Sequence, residues 1–440
     1  MRFTNKQLRQ LIIPLIIEQL LAVTVGMADS IMTASVGEAA VSAVSLVDTI
    51  MVLMINVFAA LATGGAVVAG QYIGQGRPEQ SSKAADQLIL FIGVLSIGIT
   101  ALVYLGKYWI LHGIFGRIEP DVMYHSNIYL LIVTASIPFI ALYNGGAALF
   151  RAMGDSKTPM KTALLMNAVN IVGNGILIYG LKMGVAGAAI PTLCSRILAA
   201  VLILILLKNQ QLPVHLSQKF HFHFDRHLIK RILNIGVPNG LENSMFQIGK
   251  ILVLSLVAGF GTASIAANAV SNTIATFQIL PGTAMGYAVL TVISQCIGGR
   301  DYQQAKYYTK KLLMITYAAM FLCNVMVVLG LPAILYAYNL SDVTASLTRQ
   351  IIIYHAVCCV TIWPMSFTLP NSLRASNDVK FAMVTSIASM WVFRILFSYL
   401  LGQTLGWGVF GIWVAMTIDW LFRAICFTIR YLRGKWQSKS

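Results

Sequence analysis

Carboxylates and amides stand at a few points inside stretches otherwise too apolar to hold them. Asp29 and Glu18 lie in the run Leu11 to Ile31, Glu242 in the run that begins near Ile232, and Asn170 with Asn174 in a fifth such run. A carboxylate in hydrocarbon costs at least about 2.5 to 3.5 kcal/mol on insertion scales, so these groups are expected to face a protein interior or a wet cavity. At about 100° per residue, Glu18 and Asp29 return to within roughly 20° of one helical face, about 16 Å apart along the axis. Asp29 has no basic residue within a turn and can take up a proton or Na+ as its exposure changes; the alternative is a carboxylate held permanently by a neighbouring donor. Asn170 and Asn174 share a face at i, i+4. Two amides so placed can ligate an ion, hydrogen-bond an acid such as Asp29, or act as polar contacts between helices. Glu242, and Glu18 at the matching place in the first half, read either as a second proton or cation site or as structural braces. Lys250 stands about 80° around the helix from Glu242, so no contact between them is expected.

The remaining in-span charges read as structural. Asp419 and Arg423 at i, i+4 predict an ion pair. Asp48 is expected near the outer end of the second span, Arg196 and Arg394 to reach partners or headgroups by snorkelling, and His355 to be buried and hydrogen-bonded. There is no His-Glu-x-x-His, no phosphate-binding glycine loop and no Cys/His set with metal spacing, so neither a metal, a cofactor nor an enzyme activity is expected. The six cysteines lie in or at the ends of apolar runs and read as small buried side chains without a disulfide framework.

The elements that position these groups follow from composition. With 58% hydrophobic and only 10% charged residues over 440 positions, and a mean hydropathy of +0.76, the chain is a polytopic membrane protein. Spans are predicted near 10–34, 43–69, 86–110, 125–149, 161–181 and 186–207, then 233–257, 265–293, 311–337, 349–372, 381–401 and 408–429. A shift of 224 positions lays Pro14 on Pro238, Glu18 on Glu242, Gly37 on Gly261, Gln71 on Gln295 and Gly74 on Gly298, while Asp29 falls on Val253. Arg151-Ala-Met-Gly-Asp-Ser-Lys157 answers Arg374-Ala-Ser-Asn-Asp-Val-Lys380, and Gly184-Val-Ala-Gly187 answers Gly408-Val-Phe-Gly411. The expected fold is therefore all-α, with twelve transmembrane helices in two pseudo-symmetric six-helix lobes: residues 1–207, a linker at 208–231, and residues 232–440. An even number of spans per half makes the repeats parallel, and substrate sites in such architectures lie near mid-membrane between them.

The net charge of +16 is one of topology, with no nucleic-acid partner implied. From Arg2, Lys6 and Arg9 to Arg433, Lys435 and Lys439, 23 of the 31 basic residues fall on alternate connections, which predicts both termini and the linker in the cytoplasm. A multi-pass protein of the plasma (inner) membrane, monomeric among lipid, is expected.

The Asp29 helix followed by Gly37-Glu-Ala-Ala-Val-Ser-Ala43, the Gln71-Tyr-Ile-Gly-Gln-Gly-Arg77 segment with its copy Gln295-Cys-Ile-Gly-Gly-Arg300, the Arg151 to Lys157 loop and Gly184-Val-Ala-Gly-Ala-Ala-Ile-Pro-Thr192 together resemble the MATE (multidrug and toxic compound extrusion) transporters. The resemblance covers nearly the whole chain. It implies two six-helix lobes forming a V around a central cavity, and export of cationic or amphipathic small molecules driven by inward H+ or Na+ flux. It further implies that Asp29 is the ion-coupling acid, with Asn170 and Thr192 around it, and that Glu242 is the glutamate implicated in many members; on the residues themselves, Asn170, Asn174 and Thr192 can stabilise one protonation state of Asp29 or contribute oxygens to Na+, which would then be held at Asp29, Asn170 and Asn174. Asn174 stands where one branch of the family has a second aspartate, and Thr361 to Asn371 lacks the acid that another branch pairs with the glutamate, so the coupling ion stays open. The alternative within transport is a flippase for a lipid-linked precursor, which would carry several basic residues inside the first lobe, where this chain offers mainly Arg196.

Overall fold

The computed structural model describes residues 3–219 and 221–439; Arg2, counted above among the N-terminal basic residues, lies outside them. Fifteen α-helices follow in order: α1 (Asn5–Ala34), α2 (Glu38–Gly74), α3 (Pro78–Leu105), α4 (Lys107–Trp109), α5 (Pro120–Thr134), α6 (Ile137–Ala152), α7 (Lys157–Asn174), α8 (Ala186–Leu207), α9 (Arg226–Ala258), α10 (Thr262–Gly298), α11 (Tyr302–Tyr338), α12 (Asp342–Thr361), α13 (Pro370–Ala375), α14 (Val379–Ser389) and α15 (Gly408–Leu432). Among the described residues there is no strand. Among the described residues, eleven helices are long and apolar enough to cross a bilayer. The twelfth span is α5 with α6, bent by 46° where a single helix over 125–149 is expected. Pro138 in the first turn of α6 lacks the N–H that would pair with the Thr134 carbonyl, and beside it the Ser136 hydroxyl donates to the Val133 carbonyl at 2.6 Å. Leu105 and Leu329 are 84% and 77% exposed, as side chains that meet lipid rather than water should be.

The duplication is written into the backbone. α2 and α10 keep the 224-residue offset at both ends, α3 and α11 at their starts, and α1 and α9 at their ends. π-helical turns at Gly175–Gly180 and Ser398–Thr404 close the fifth span of each half, and each is followed by a glycine at positive φ, Gly184 at +63° and Gly408 at +62°. A Cβ is strained in that conformation, which is why glycine recurs there. Three residues later a Cβ on Gly187 would meet the Leu177 carbonyl carbon at 3.0 Å, and one on Gly411 the Leu401 carbonyl carbon at 2.9 Å. The Gly-Val-x-Gly echo is thus a turn followed by a close helix crossing, made twice.

Two compact units emerge: Lys6–Gly240, and Met1–Asn5 with Leu241–Ser440. Segment 208–231 packs on the first of them. His215 N–H donates to Ser82, Ser217 hydrogen-bonds Asp86 through both its N–H and its hydroxyl, and Asp225 N–H donates to Gln87. The opening turns of α9 belong there too. Arg231 donates to the Tyr72 hydroxyl at 2.5 Å and to Gln71 Oε1 at 3.1 Å. Gly64 lies so close to Ile232 and Gly236 that a Cβ on it would stand 2.5 Å from the Ile232 carbonyl oxygen. The division between units therefore falls inside α9, two residues past Pro238, and the polar linker is part of the first unit. In the second unit the core gathers on α10, α12 and α15, with Met320, Cys358, Cys359, Trp363 and Trp420 in one cluster.

Candidate functional site

Within the first unit, α1, α7 and α8 bring Asp29, Asn174, Asn170 and Thr192 into one hydrogen-bonded chain. Asn174 Nδ2 donates to Asp29 Oδ1 at 2.6 Å and to Asn170 Oδ1 at 3.3 Å. Asn170 Nδ2 donates to Thr192 Oγ1 at 3.1 Å, and that hydroxyl donates to the Ala188 carbonyl at 3.0 Å. Asn174 is 1% exposed, yet its Oδ1 has no hydrogen-bond partner. A buried carbonyl without a donor costs about 1 to 3 kcal/mol, so the amide's orientation is fixed by the two acceptors on its nitrogen side.

The close approach of α7 and α8 makes this chain possible. A Cβ on Gly173 would stand 2.7 Å from the Pro191 Cβ, so only glycine lets the two helices meet one residue from Asn174 and one from Thr192. Pro14, earlier on α1, removes the N–H that would pair with the Gln10 carbonyl; the buried Ser156 hydroxyl reaches Gln10 O at 3.3 Å and Leu11 O at 2.5 Å. One turn further, Glu18 is ion-paired with Arg151. The helix that carries Asp29 is thereby anchored through the Arg151 to Lys157 loop.

A second polar set nearby escapes sequence reasoning. Tyr129 on α5 donates to Asp48 on α2 at 3.1 Å, and Arg196 on α8 donates to Ser136 at the α5–α6 bend at 2.8 Å. The charges of Asp48 and Arg196 both act on Asp29. Asp48 is only half-buried, as its expected outer position allows, but it is engaged rather than simply solvated. The signal available was the coincidence of in-span charges on the second and sixth spans; their adjacency is tertiary.

Glu242, in the second unit, is buried and bidentate. Arg374 Nη2 lies 2.9 and 2.8 Å from its two oxygens, and Arg423 Nη2 is 3.4 Å from Oε1. The repeat-related glutamates thus take repeat-related partners, Glu18 with Arg151 and Glu242 with Arg374. The Asp419–Arg423 ion pair expected from i, i+4 spacing does not form. Arg423 goes to Glu242 and stacks 4.4 Å from the Phe367 ring, while Asp419 accepts from Ser389 at 2.5 Å. Arg394 does not snorkel; it is 8% exposed. His355 is buried as expected, with Nδ1 2.7 Å from Gln278 Oε1. Among the described residues no three His, Cys, Asp or Glu side chains cluster as a metal site would require.

A family model, MatE, matches residues 14–176 and again 238–400, the two matches offset by the same interval as the helices. YisQ, an uncharacterized transporter of Bacillus subtilis (strain 168), is 27% identical over 434 residues, 97% of this chain and 94% of its own. A probable multidrug resistance protein, NorM of Thermotoga maritima, is 24% identical over 455 residues, covering 99% and 94%. Among solved structures, an outward-facing multidrug resistance MATE family transporter of the MOP superfamily has the same fold, with a TM-score of 0.91 at 21% identity over 99% of this chain and 97% of that one. With the model matched twice in tandem over most of its length, the chain belongs to the MatE family of membrane transporters and is not an enzyme.

Proposed function

We propose that the protein is a secondary active multidrug efflux antiporter that exports amphipathic organic compounds in exchange for H+ or Na+, with Asp29 as the coupling group. The observation that carries this reading is the chain from Asp29 through Asn174 and Asn170 to Thr192. The ionised carboxylate accepts from Asn174. A protonated carboxyl presents an O–H of its own, for which the proper partner is the Asn174 carbonyl, the one atom of that amide left without a partner. Proton uptake therefore favours turning the amide, which withdraws its donor from Asn170 Oδ1 and leaves Asn170 held only by its own bond to Thr192 on α8. A coupling ion drives export only if it is held differently in the two facing states, and a chain that rearranges with protonation provides such a difference. Na+ would use oxygens of the same residues: Asp29 Oδ, Asn170 Oδ1 and Asn174 Oδ1.

A cationic substrate was expected to meet Glu242 or Glu18. Both are neutralised by arginine within their own units, so we assign them to bracing, and a cation would have to compete with the coupling ion at Asp29. The flippase alternative is not carried forward, since Arg151 is paired with Glu18 and Arg196 is held by Ser136. The reading also takes both termini as cytoplasmic, from the distribution of basic residues. Purified protein in liposomes, given H+ and Na+ gradients separately, tests it: export should follow one gradient in the wild type and neither in Asp29→Asn.

A further inference from the structure

The second unit holds more in-span positive charge than its acids neutralise. Lys250, Arg374, Arg394 and Arg423 face Glu242 and Asp419; Glu242 is taken by Arg374 and Arg423, and Asp419 accepts from Ser389. Arg394 and Lys250 are the two without an ion pair; the charge of Asp419, whose Oδ2 is itself buried without a partner, bears on Arg394 from beyond ion-pair distance. Arg394 is more than nine-tenths buried, donates no side-chain hydrogen bond among the described residues, and its Nη1 is wholly enclosed without a partner. Its guanidinium carbon lies 4.6 Å from the centre of the Phe246 ring, and Lys250 Nζ lies 5.1 Å from the same centre, so the two cations are within about 10 Å of each other. Gly249 creates this proximity, since a Cβ there would stand 2.8 Å from the Met390 sulfur on the π turn that carries Arg394. Asp419 and Arg423 also act electrostatically on Arg394, and His355 lies within reach of its field. The acid among them, Asp419, makes no ion pair with Arg394.

A buried guanidinium with five donors and no acceptor is costly unless something with complementary lone pairs visits it. Lys250 is exposed, and it shares the Phe246 ring with the buried Arg394. We propose that Arg394 and Lys250, which share the Phe246 ring, bind the oxyanion, a carboxylate or a phosphate ester, of an amphipathic molecule. Arg394 supplies the planar fork that matches such a group, and Lys250 the point charge that draws it in. This rests on the transporter reading and specifies the substrate class as anionic or zwitterionic amphiphiles.

The test is equilibrium binding to the full-length protein in phosphatidylcholine nanodiscs, using 2-naphthoate, the neutral 2-naphthalenemethanol and 2-naphthylmethylammonium as matched probes. No gradient is imposed, so a failure of coupling at Asp29 leaves this readout untouched. The wild type should bind 2-naphthoate about tenfold or more tighter than the alcohol, the scale of one charge-assisted hydrogen bond. Lys250→Gln, at an exposed position, should lower that preference severalfold with the melting temperature unchanged. Arg394→Gln should abolish it, and Arg394→Lys should restore part. Loss of naphthoate binding in nanodiscs containing phosphatidylglycerol would identify a lipid phosphate as the oxyanion's source; undiminished binding would identify a soluble solute. Equal affinity for all three probes, or a naphthoate preference unmoved by Lys250→Gln and Arg394→Gln alike, would overturn the proposal.

Discussion

Asn174 offers its nitrogen to Asp29 at 2.6 Å while its own carbonyl oxygen lies buried without a donor. An amide in that position reports the charge on the carboxylate beside it. Asn174→Ala should therefore leave Asp29 without its donor and slow gradient-driven export at least about tenfold, the scale of a hydrogen bond to a charged group. The rate of uphill transport in liposomes checks this, with a melting curve to show that the variant is folded.

The crossing at Gly173 holds the same chain together from the other side. Gly173→Ala places a methyl 2.7 Å from the Pro191 Cβ, and overpacking of this kind costs about 1 to 3 kcal/mol. The helices should part, and Asn170 should lose Thr192. Gly175→Ala, two residues on, meets nothing within 4 Å and is the control. Thermal unfolding in detergent should show a lower midpoint for the first and an unchanged one for the second.

If the glutamates are braces, each removal strands an arginine. Glu242→Gln leaves Arg374 and Arg423 without their shared counter-charge, and breaking a buried pair from one side costs about 3 to 5 kcal/mol. Glu18→Gln should act in the same direction through Arg151. Lower yield and melting temperature are expected from both. Full stability with selective loss of cation binding would return Glu242 to the substrate site.

Topology has a direct check. With the native cysteines replaced, the exposed Cys194 first among them, Gln218→Cys on the linker should react with an impermeant maleimide only after the cells are opened. Labelling in intact cells would invert the orientation.

The repeat, the spans and the shared face of Asn170 and Asn174 were legible because each rests on local spacing: a fixed offset, an apolar run, an i, i+4 face; that this face meets Asp29 on another span was one of the readings spacing left open, and the family resemblance implied Asn170 beside it. What the sequence hid depends on which helix meets which. Arg423 had a carboxylate one turn away on its own helix and instead shares Glu242, on α9, with Arg374 of α13. Tyr129, Asp48 and Arg196 come from three separate spans, and no periodicity links them. The boundary between units was read from polarity at 208–231, yet that segment's polar groups are spent on Ser82, Asp86 and Gln87, and α9 stays with the first unit as far as Gly240. Pro138 marks the bend between α5 and α6, while the Arg196–Ser136 contact beside it joins separate spans and is tertiary.

The most direct test of the account is uphill export by purified Asp29→Asn protein in liposomes, under whichever of the H+ and Na+ gradients drives the wild type. The amide keeps the shape of the side chain and cannot carry the charge, so the variant should fold, bind substrate and show no gradient-driven export. Export at the wild-type rate would remove Asp29 from the mechanism and contradict the account.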